Sequence, residues 1–413
     1  MSDARPETAG ELRARIDGAL AARARLRTRP VAETIASLEE AALRWSRDAT
    51  LAAALPAATG LSRPMITAVM PIAATALEAA AMTDLVEDEW GRGAAERPVA
   101  DGPSLVVHVL ASNVPALALP AIALGCLAGA AVAVKSGRRD PLSAAAFVGA
   151  LADADPDLAA TIVTAYWPGG DVAREDALLE HADVAVLTGG DEALAALAAR
   201  TRSPVIAYGP RVSVAAVGRG ALDDARGTVK SLALDIALHD QRGCLSPHAV
   251  YVEAGGDIPP RVFAERLAAA LDEMAHSLPR GEASVEERAA ARACAAGAEW
   301  SPGGAAIETT GGTVLYEETM AFRPTSGLRM VRVHPLDDTS ALATALPPGG
   351  IECVGLAGIE ASPLVASLRA RGVSRLCPIG GMQQPPLAWP RGQQSPLGAL
   401  FGRPGEPRLG REL

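Results

Sequence analysis

Hydrophobic positions along the chain change their spacing once, near residue 104. Before that point, the segment ELRARIDGALAARARL and the run over 31–55 place apolar residues at helical spacing, with charged residues on the other side. After it, short apolar runs alternate with helical segments. This alternation is typical of doubly wound parallel sheets, so the sequence predicts an α/β protein with a helical N-terminal layer.

The apolar runs predict two α/β units. In the first unit the strand candidates are LVVHVL, AVAVKS, TIVTAYW, VAVLTGG and PVIAYG. In the second, a long helix over about 222–239 is followed by strand candidates in HAVYVE, TVLYEE, LRMVRVH, IECVGL and SRLCP. We therefore expect a helical layer over 1–102, a Rossmann-like α/β domain over 103–220, a second α/β domain over 221–390 and a tail over 391–413.

The stretch after Met382 is rich in Pro, Gly and Gln and lacks periodicity. We expect this irregular tail to wrap another domain or to take part in oligomerisation.

One uncharged stretch, 109–134, is long enough to span a bilayer. Pro115, Pro120, Gly125 and Gly129 interrupt it, and its two ends read as buried strands. We interpret it as a β-α-β core segment and predict no membrane contact.

Composition removes several classes of function. The net charge of −10 argues against a nucleic-acid binder, and 3% aromatic residues argue against a stacking surface for single strands. Five scattered cysteines form no CxxC pair and have no histidine at ligand spacing, so we predict neither disulfides nor a metal site. The first residues mix both signs of charge without an apolar core, and a cytoplasmic location is the expectation.

The clearest candidate for chemistry is Cys244, which lies in the polar loop HDQRGCLSPH between a predicted helix and a predicted strand. A thiolate nucleophile needs such a setting, because apolar burial raises the thiol pKa. A structural thiol is the alternative. His239 and His248 flank Cys244, but a helix end and a strand edge explain them better than a catalytic dyad does.

Five motifs in the same order resemble one family. They are ASNVPALALP, VAVKSGRRDP, VLTGGDEAL, the DQRGCLSPH loop and YEETMAFRPTSGLRMVRVHPLDD. Together they resemble the aldehyde dehydrogenase superfamily, and within it the acyl-CoA reductases related to the fatty acid reductase of bacterial luminescence. The resemblance covers roughly 104–400 and implies an aldehyde-dehydrogenase-like fold with a cofactor domain and a catalytic domain.

The resemblance assigns roles to individual residues. Cys244 matches the nucleophile that attacks a thioester or aldehyde carbonyl. Asn113 matches the asparagine whose amide, with the Cys244 N–H, donates to the oxyanion of the tetrahedral species. A turn-forming role is the alternative for Asn113.

The resemblance also implies a nicotinamide cofactor. Lys135 matches the lysine that contacts the adenosine ribose. Thr188, Gly189 and Gly190 match the strand-to-helix turn over the pyrophosphate, where small residues allow close backbone approach. Glu318, or its neighbour Glu317, falls where the family places the glutamate that binds the nicotinamide ribose; a solvated acidic pair is the alternative.

Two departures from the family pattern refine the expected reaction. Tyr208, in YGPR, stands where hydrolytic members carry the glutamate that activates water, and no Glu occurs between Glu192 and Glu253. Arg138, followed by Arg139, stands where many NAD-preferring members carry an acidic residue. Positive charge there suits a 2′-phosphate, so NADPH is favoured over NADH, although surface charge alone would also explain it.

These matches predict an NADPH-dependent reductase that takes the acyl group of an acyl-CoA or a carrier-bound thioester onto Cys244 and releases the aldehyde. The alternatives are an aldehyde dehydrogenase working oxidatively, with acid or acyl-CoA as product, and a non-catalytic acyl-carrying or scaffold homologue. A homodimer or homotetramer is expected.

Overall fold

The computed structural model describes residues 7–99, 101–111, 113–223 and 225–402. In its described residues the N-terminal layer consists of helices joined by turns and loops, as predicted. Its helices are α1 (Ala9–Arg23), α2 (Val31–Ser46), α3 (Ala49–Thr59), α4 (Arg63–Thr75) and α5 (Ala79–Trp90). Thr8 and Glu11 form a capping box that fixes the start of α1. Residues 1–6 of the predicted layer and 403–413 of the predicted tail lie outside the described residues.

The predicted first unit contains a five-stranded parallel sheet in the order β3-β2-β1-β4-β5. Its strands are β1 (Leu105–Val109), β2 (Ala131–Lys135), β3 (Ile162–Ala165), β4 (Val184–Thr188) and β5 (Val205–Tyr208). Its helices are α6 (Ala118–Leu127), α7 (Ser143–Ala154), α8 (Pro156–Ala159), α9 (Val172–Leu179) and α10 (Asp191–Ala198). All five predicted strands of this unit are confirmed.

Both faces of the five-stranded sheet are covered, as continuous apolar strands require. On β2, Val132 and Val134 belong to the buried cluster that includes Ile35 and Leu38 of α2. The alternate residues of β2 face the opposite side and pack with α1. Helices of the N-terminal layer therefore form part of the hydrophobic core on both faces of the five-stranded sheet.

The second sheet has seven strands in the order β12-β11-β6-β7-β10-β9-β8. Its strands are β6 (Val212–Val217), β7 (Pro247–Glu253), β8 (Ala305–Glu308), β9 (Thr313–Tyr316), β10 (Met330–Leu336), β11 (Ile351–Ala357) and β12 (Arg375–Pro378). Its helices are α11 (Ala225–Ala237), α12 (Pro260–Ser277), α13 (Val285–Glu299), α14 (Leu342–Ala345) and α15 (Val365–Ala370). Only the β8–β9 pairing is antiparallel among the described strands.

One boundary and one strand differ from the sequence prediction. Strand β6 lies inside the predicted cofactor domain 103–220 but pairs with β7 and β11 of the second sheet. The change of sheet therefore falls between Tyr208 and Val212, because the short YGPR turn carries the chain across. Strand β8 was not predicted; it is a short edge strand, and its side chains are only partly buried.

Part of the irregular segment after Met382 packs against the N-terminal layer. Glu89 of α5 accepts hydrogen bonds from the backbone N–H groups of Leu397 (3.1 Å) and Gly398 (2.7 Å). The tail thus joins the second sheet to the N-terminal layer.

Residues 109–134 form the end of β1, helix α6 and strand β2, which confirms the β-α-β interpretation. Within the described residues, no single helix combines the length and apolarity that a membrane span requires. Helices α4 and α5, bent by 42° at their junction, meet those criteria only when they are taken together.

Candidate active site

A cavity of about 1220 Å³ lies between the carboxyl-end edge of the five-stranded sheet and the amino-end edge of the seven-stranded sheet. Ligands of open α/β sheets bind at the carboxyl ends of the strands. Four of the predicted side chains and one predicted turn meet here. They are Asn113, Lys135, Arg138, the turn Thr188 to Gly190, and Cys244.

Cys244 lies in the turn between the end of α11 and the start of β7, and it is half-buried. Ser213 donates its hydroxyl to the Cys244 carbonyl (2.7 Å), which fixes the turn to β6. Burial raises the pKa of the Cys244 thiol, whereas its own backbone N–H and nearby arginines lower it. The loop is therefore less exposed than its polar sequence indicates, and the thiolate needs help from neighbouring groups.

Asn113 follows β1 and is tied directly to the nucleophile loop. Its Nδ2 donates to the carbonyl of Arg242 (3.0 Å), two residues before Cys244, and its Oδ1 is buried without a partner in the described structure. The amide retains a second N–H. A hydrogen bond that spans 129 positions of sequence thus holds Asn113 against the loop that contains Cys244.

The chain before Cys244 has an unusual backbone. His239, Asp240 and Gln241 have φ angles of 56°, 52° and 62°, in the left-handed region that non-glycine residues seldom adopt. Leu328 and Arg329 share this conformation, with φ of 59° and 58°. The predicted helix over 222–239 therefore ends early, and three residues reverse the chain toward the cavity.

Buried side chains join these two segments. Arg329 donates from Nε to Asp240 Oδ1 (2.9 Å), and both residues are almost completely buried. The Gln241 amide donates to the carbonyls of Pro247 (2.8 Å) and Met330 (2.5 Å) and accepts from the Met330 N–H (2.7 Å). These bonds stabilise the left-handed turn that presents Cys244.

Both histidines that flank Cys244 line the cavity, but neither hydrogen-bonds its thiol in the described structure. His248 Nδ1 accepts from the Thr325 N–H (3.1 Å). Burial lowers the pKa of His239 and of His248 to about 4. Both rings are therefore neutral near pH 7, in keeping with the structural roles expected for them.

Two basic side chains line the cofactor side of the cavity. Lys135 ends β2, and its Nζ lies 5.5 Å from the centre of the Trp167 ring. Burial lowers the pKa of Lys135, and Glu175 opposes that shift. Arg138 is exposed and has no ion-pair partner among the described residues, whereas Arg139 lies 3.4 Å from Glu287.

The turn Thr188 to Gly190 links β4 to α10. A side chain at Gly190 would meet open space, so the backbone here is accessible to a ligand. Helix α10 begins with Asp191 and Glu192, whose charges reduce the positive potential that a helix N-terminus offers to phosphate. Close backbone approach, rather than charge, is what this turn provides.

The predicted ribose ligands Glu317 and Glu318 are not among the residues that line the cavity. Glu317 is fully buried and accepts hydrogen bonds from Arg323 (2.7 Å) and Arg332. Glu318 is exposed beside Gly303. The structure does not bring either carboxylate to the other predicted site residues.

Sequence reasoning missed one group in the cavity wall, Arg391, and one buried group that supports the wall, Asp140. Arg391 lies over the Tyr208 ring at 4.2 Å and near the Trp389 ring at 5.9 Å. Asp140 accepts from the N–H groups of Ala116 (3.0 Å) and Ser143 (3.0 Å) and so fixes the loop after Asn113. The Asp-Pro pair in GRRDP was a usable turn signal for Asp140, whereas the irregular tail gave none for Arg391.

The cavity fits a nicotinamide dinucleotide together with a second ligand. Its volume exceeds the roughly 300–1,000 Å³ of ordinary small-molecule sites. Lys135 and Arg138 supply charge at one end, the accessible glycine turn supplies backbone, and Asn113 brings an amide whose Oδ1 is buried without a partner in the described structure.

Solved structures share this fold. A benzaldehyde dehydrogenase from Corynebacterium glutamicum has a TM-score of 0.70, with 15% identity over 91% of this chain and 87% of its own. Aldehyde dehydrogenase 21 from Physcomitrella patens gives the same TM-score and identity, over 90% of this chain and 82% of its own. The aldehyde-dehydrogenase-like fold is thereby confirmed.

Curated relatives are closer in sequence. A long-chain acyl-protein thioester reductase from Aliivibrio fischeri is 28% identical over 285 residues, which cover 66% of this chain and 58% of the relative. A protein of the same description from Photobacterium leiognathi is 30% identical over 189 residues, 45% of this chain and 38% of the relative. The matched segments thus span about four to six tenths of these relatives.

The family model described as acyl-CoA reductase (LuxC) matches residues 26–390, which include every cavity residue discussed above except Arg391. The chain therefore belongs to the LuxC acyl-CoA reductase family.

Proposed function

We propose that this protein reduces an acyl thioester to the aldehyde through an acyl group held on Cys244. The observation that carries the proposal is that Cys244, Asn113 and the basic residues Lys135 and Arg138 line one cavity between the two sheets. Nucleophile and cofactor groups at a shared site can divide a difficult reduction into two steps.

In the first step the Cys244 sulfur attacks the thioester carbonyl, and the donor thiol leaves. Asn113 is held by the Arg242 carbonyl and keeps a second amide N–H, while the Cys244 N–H faces its own thiol. These two donors would hold the oxyanion of the tetrahedral species.

In the second step the acyl-enzyme is reduced. A nicotinamide dinucleotide held by Lys135, Arg138 and the turn Thr188 to Gly190 would supply hydride to the acyl carbon. Asn113 and the Cys244 N–H again hold the oxyanion, and its collapse releases the aldehyde and the Cys244 thiolate.

The pairing of the carboxylates that line the cavity favours reduction of the acyl-enzyme over its hydrolysis. Among the described lining residues, the acidic side chains are Glu175 and Glu287. Glu175 accepts from the Gly170 N–H (3.1 Å), and Glu287 pairs with Arg139. Both lie with the cofactor-side groups, and Tyr208 occupies the turn where a hydrolytic member places its base. Water activation therefore lacks a free carboxylate in the described part of this site.

NADPH is the proposed reductant. The unpaired and exposed Arg138 follows the end of β2, where a 2′-phosphate would accept its hydrogen bonds. We further propose that the donor is an acyl-CoA or a carrier-bound thioester, that the protein works in the cytoplasm and that it assembles as a homodimer or homotetramer.

The test is intact mass spectrometry after incubation with a ladder of acyl-CoAs, followed by NADPH. We expect an acyl adduct on the wild type that NADPH discharges with release of aldehyde. Cys244→Ala should form no adduct and lose at least about a thousandfold in turnover, because no other group replaces the nucleophile. Cys294→Ala, a half-buried cysteine outside the cavity lining, is the matched control and should behave as the wild type.

Thioester-dependent NADPH consumption by Cys244→Ala would contradict the proposal. If acyl-CoAs leave no adduct, the same experiment with acylated carrier protein separates the two donors. Aldehyde with NADP⁺ and CoA, tested for acyl-CoA formation, measures the oxidative direction.

A further inference from the structure

Of the arginines that line the cavity, Arg211 and Arg391 differ in their partners. Arg211 lies 3.4 Å from Glu352 and donates to the Gly372 carbonyl (3.1 Å). Arg391 has no carboxylate partner in the described part of the chain, and its Nε is buried without a hydrogen bond. Arg391 therefore brings an uncompensated positive charge to this wall.

Ring contacts and the hydrogen bonds of neighbouring residues fix the position of Arg391. Its guanidinium lies 4.2 Å from the centre of the Tyr208 ring and 5.9 Å from the centre of the Trp389 ring. Trp389 donates its indole N–H to the Ser374 hydroxyl (3.1 Å). Gln393, with a φ of 61°, donates its amide to the carbonyl of Arg369 in α15 (2.8 Å) and to that of Val373 after α15 (3.1 Å). The cation is held by stacking, which leaves its charge free to act on another group.

Arg391 and Cys244 line the same cavity, and Cys244 packs against the same buried cluster as Trp389, which lies next to the Arg391 guanidinium. The Cys244 thiol is the ionisable group on which this cation can act. Burial raises the thiol pKa, and Arg391 opposes that effect more than any other charged residue does. Arg211 also lowers the pKa, but Glu352, its own partner, raises it. The arginine–glutamate pair thus largely cancels at the thiol.

The remaining polar groups near Cys244 carry no opposing charge near pH 7. His239 and His248 have pKa values lowered to about 4 by burial, so both are neutral. Burial also raises the pKa of Tyr208, which stays protonated. Arg242 directs its guanidinium away, to the carbonyls of Thr59 and Glu282.

We propose that the Arg391 guanidinium, held against Tyr208 and unpaired in the cavity wall, stabilises the thiolate of Cys244 and so controls how fast the acyl group is captured. This inference rests on the proposed function, in which Cys244 is the nucleophile. The Cys244 sulfur forms a bond to the acyl carbon, and the bond from that carbon to the donor sulfur breaks. The electron pair leaves on the donor sulfur, which takes up a proton equivalent to the one that Cys244 released. A fixed cation lowers the energy of the sulfur anion before attack.

Arg391 thus acts through Cys244: it is a positioning residue whose charge stabilises the thiolate. Its test measures the rate at which iodoacetamide alkylates Cys244 as a function of pH, with Cys244→Ala as the blank. In Arg391→Met the midpoint should rise by about one pH unit, with alkylation about tenfold slower below the midpoint. Arg391→Lys keeps the charge and should recover most of the rate. Arg226→Met, which removes an exposed arginine of α11, should match the wild type.

Thermal unfolding checks that each variant is folded, and Arg391→Gln gives the same comparison if Arg391→Met unfolds. A wild-type pH profile in Arg391→Met or Arg391→Gln overturns the inference and leaves the proposed function intact, provided that Cys244 still forms the acyl adduct. A change in the KM for the thioester with an unchanged alkylation profile also overturns it, because Arg391 would then bind substrate. Failure of wild-type Cys244 to be acylated overturns the proposed function itself.

Discussion

The two walls of the cavity are built in different ways. The cofactor wall consists of strand ends and turns of a regular parallel sheet, and its key side chains make few bonds: Lys135 donates to the carbonyl of its neighbour Ser136 at 3.4 Å. The catalytic wall depends on a left-handed segment over 239–241 and on buried bonds between Asp240 and Arg329. Sheet register therefore positions the first wall, and side-chain contacts between distant segments position the second.

The two walls also differ in the conformational free energy of their backbones. Each non-glycine residue in the left-handed region costs of the order of 1 kcal/mol. Three such residues lie in the loop over 239–248 that contains Cys244, and two lie in the segment bonded to that loop. Such a conformation persists only when surrounding bonds determine it. On the catalytic wall, loss of a side chain remote from Cys244 should therefore lower the free energy of unfolding. On the cofactor wall, loss of a lining side chain should lower ligand affinity and leave the free energy of unfolding unchanged.

The largest expected effect is on the catalytic wall. Arg329→Met leaves the buried Asp240 carboxylate without its cation, which should lower the free energy of unfolding by about 3–5 kcal/mol. Arg13→Met removes one side of the Arg13–Glu180 pair (2.7 Å), whose side chains are 43% and 48% exposed, and should cost less than about 1 kcal/mol. Urea unfolding of both variants measures the contrast. Equal losses would show that the buried pair does not hold the catalytic wall.

The second effect is on the cofactor wall. Arg138→Gln should weaken NADPH binding about thirtyfold, equivalent to about 2 kcal/mol, because a charged hydrogen bond to the 2′-phosphate is lost. NADH binding and the unfolding free energy should stay as in the wild type. Arg139→Gln is the matched control, since Arg139 already pairs with Glu287. Isothermal titration with both nucleotides checks this, and equal weakening of NADPH and NADH would contradict the 2′-phosphate assignment.

The same contrast explains what the sequence could predict. Apolar runs and their alternation with helices predicted the five strands of the first sheet, and strand ends placed Lys135 and Thr188 at one edge. The loop chemistry singled out Cys244. No periodicity, however, pairs Asp240 with Arg329 across 89 positions, and nothing in His-Asp-Gln signals a left-handed backbone. Arg391 lies in an irregular tail whose path is decided by tertiary contacts such as those of Glu89.

The smallest effect concerns the pH dependence of stability. His108 of β1 is buried with Nε2 unpaired among the described residues, and burial lowers its pKa to about 4. The unfolded chain binds this proton near pH 6.5. Stability is therefore fully present above about pH 6.5 and is lost as pH falls toward 4, by about 1.4 kcal/mol for each pH unit. His108→Leu should flatten the slope between these limits by that amount, measured by urea unfolding at several pH values.

His248 extends this measurement to the catalytic wall. Its pKa is also lowered to about 4, but its Nδ1 accepts the Thr325 N–H. His248→Leu should therefore flatten the acid slope as His108→Leu does and, in addition, lower the unfolding free energy at pH 8, because a buried hydrogen bond is lost. His276→Leu, at an exposed helix end, is the control for both. If His108→Leu is as destabilised at pH 8 as His248→Leu, the cofactor wall depends on side-chain contacts as much as the catalytic wall does, and the distinction between the two walls fails.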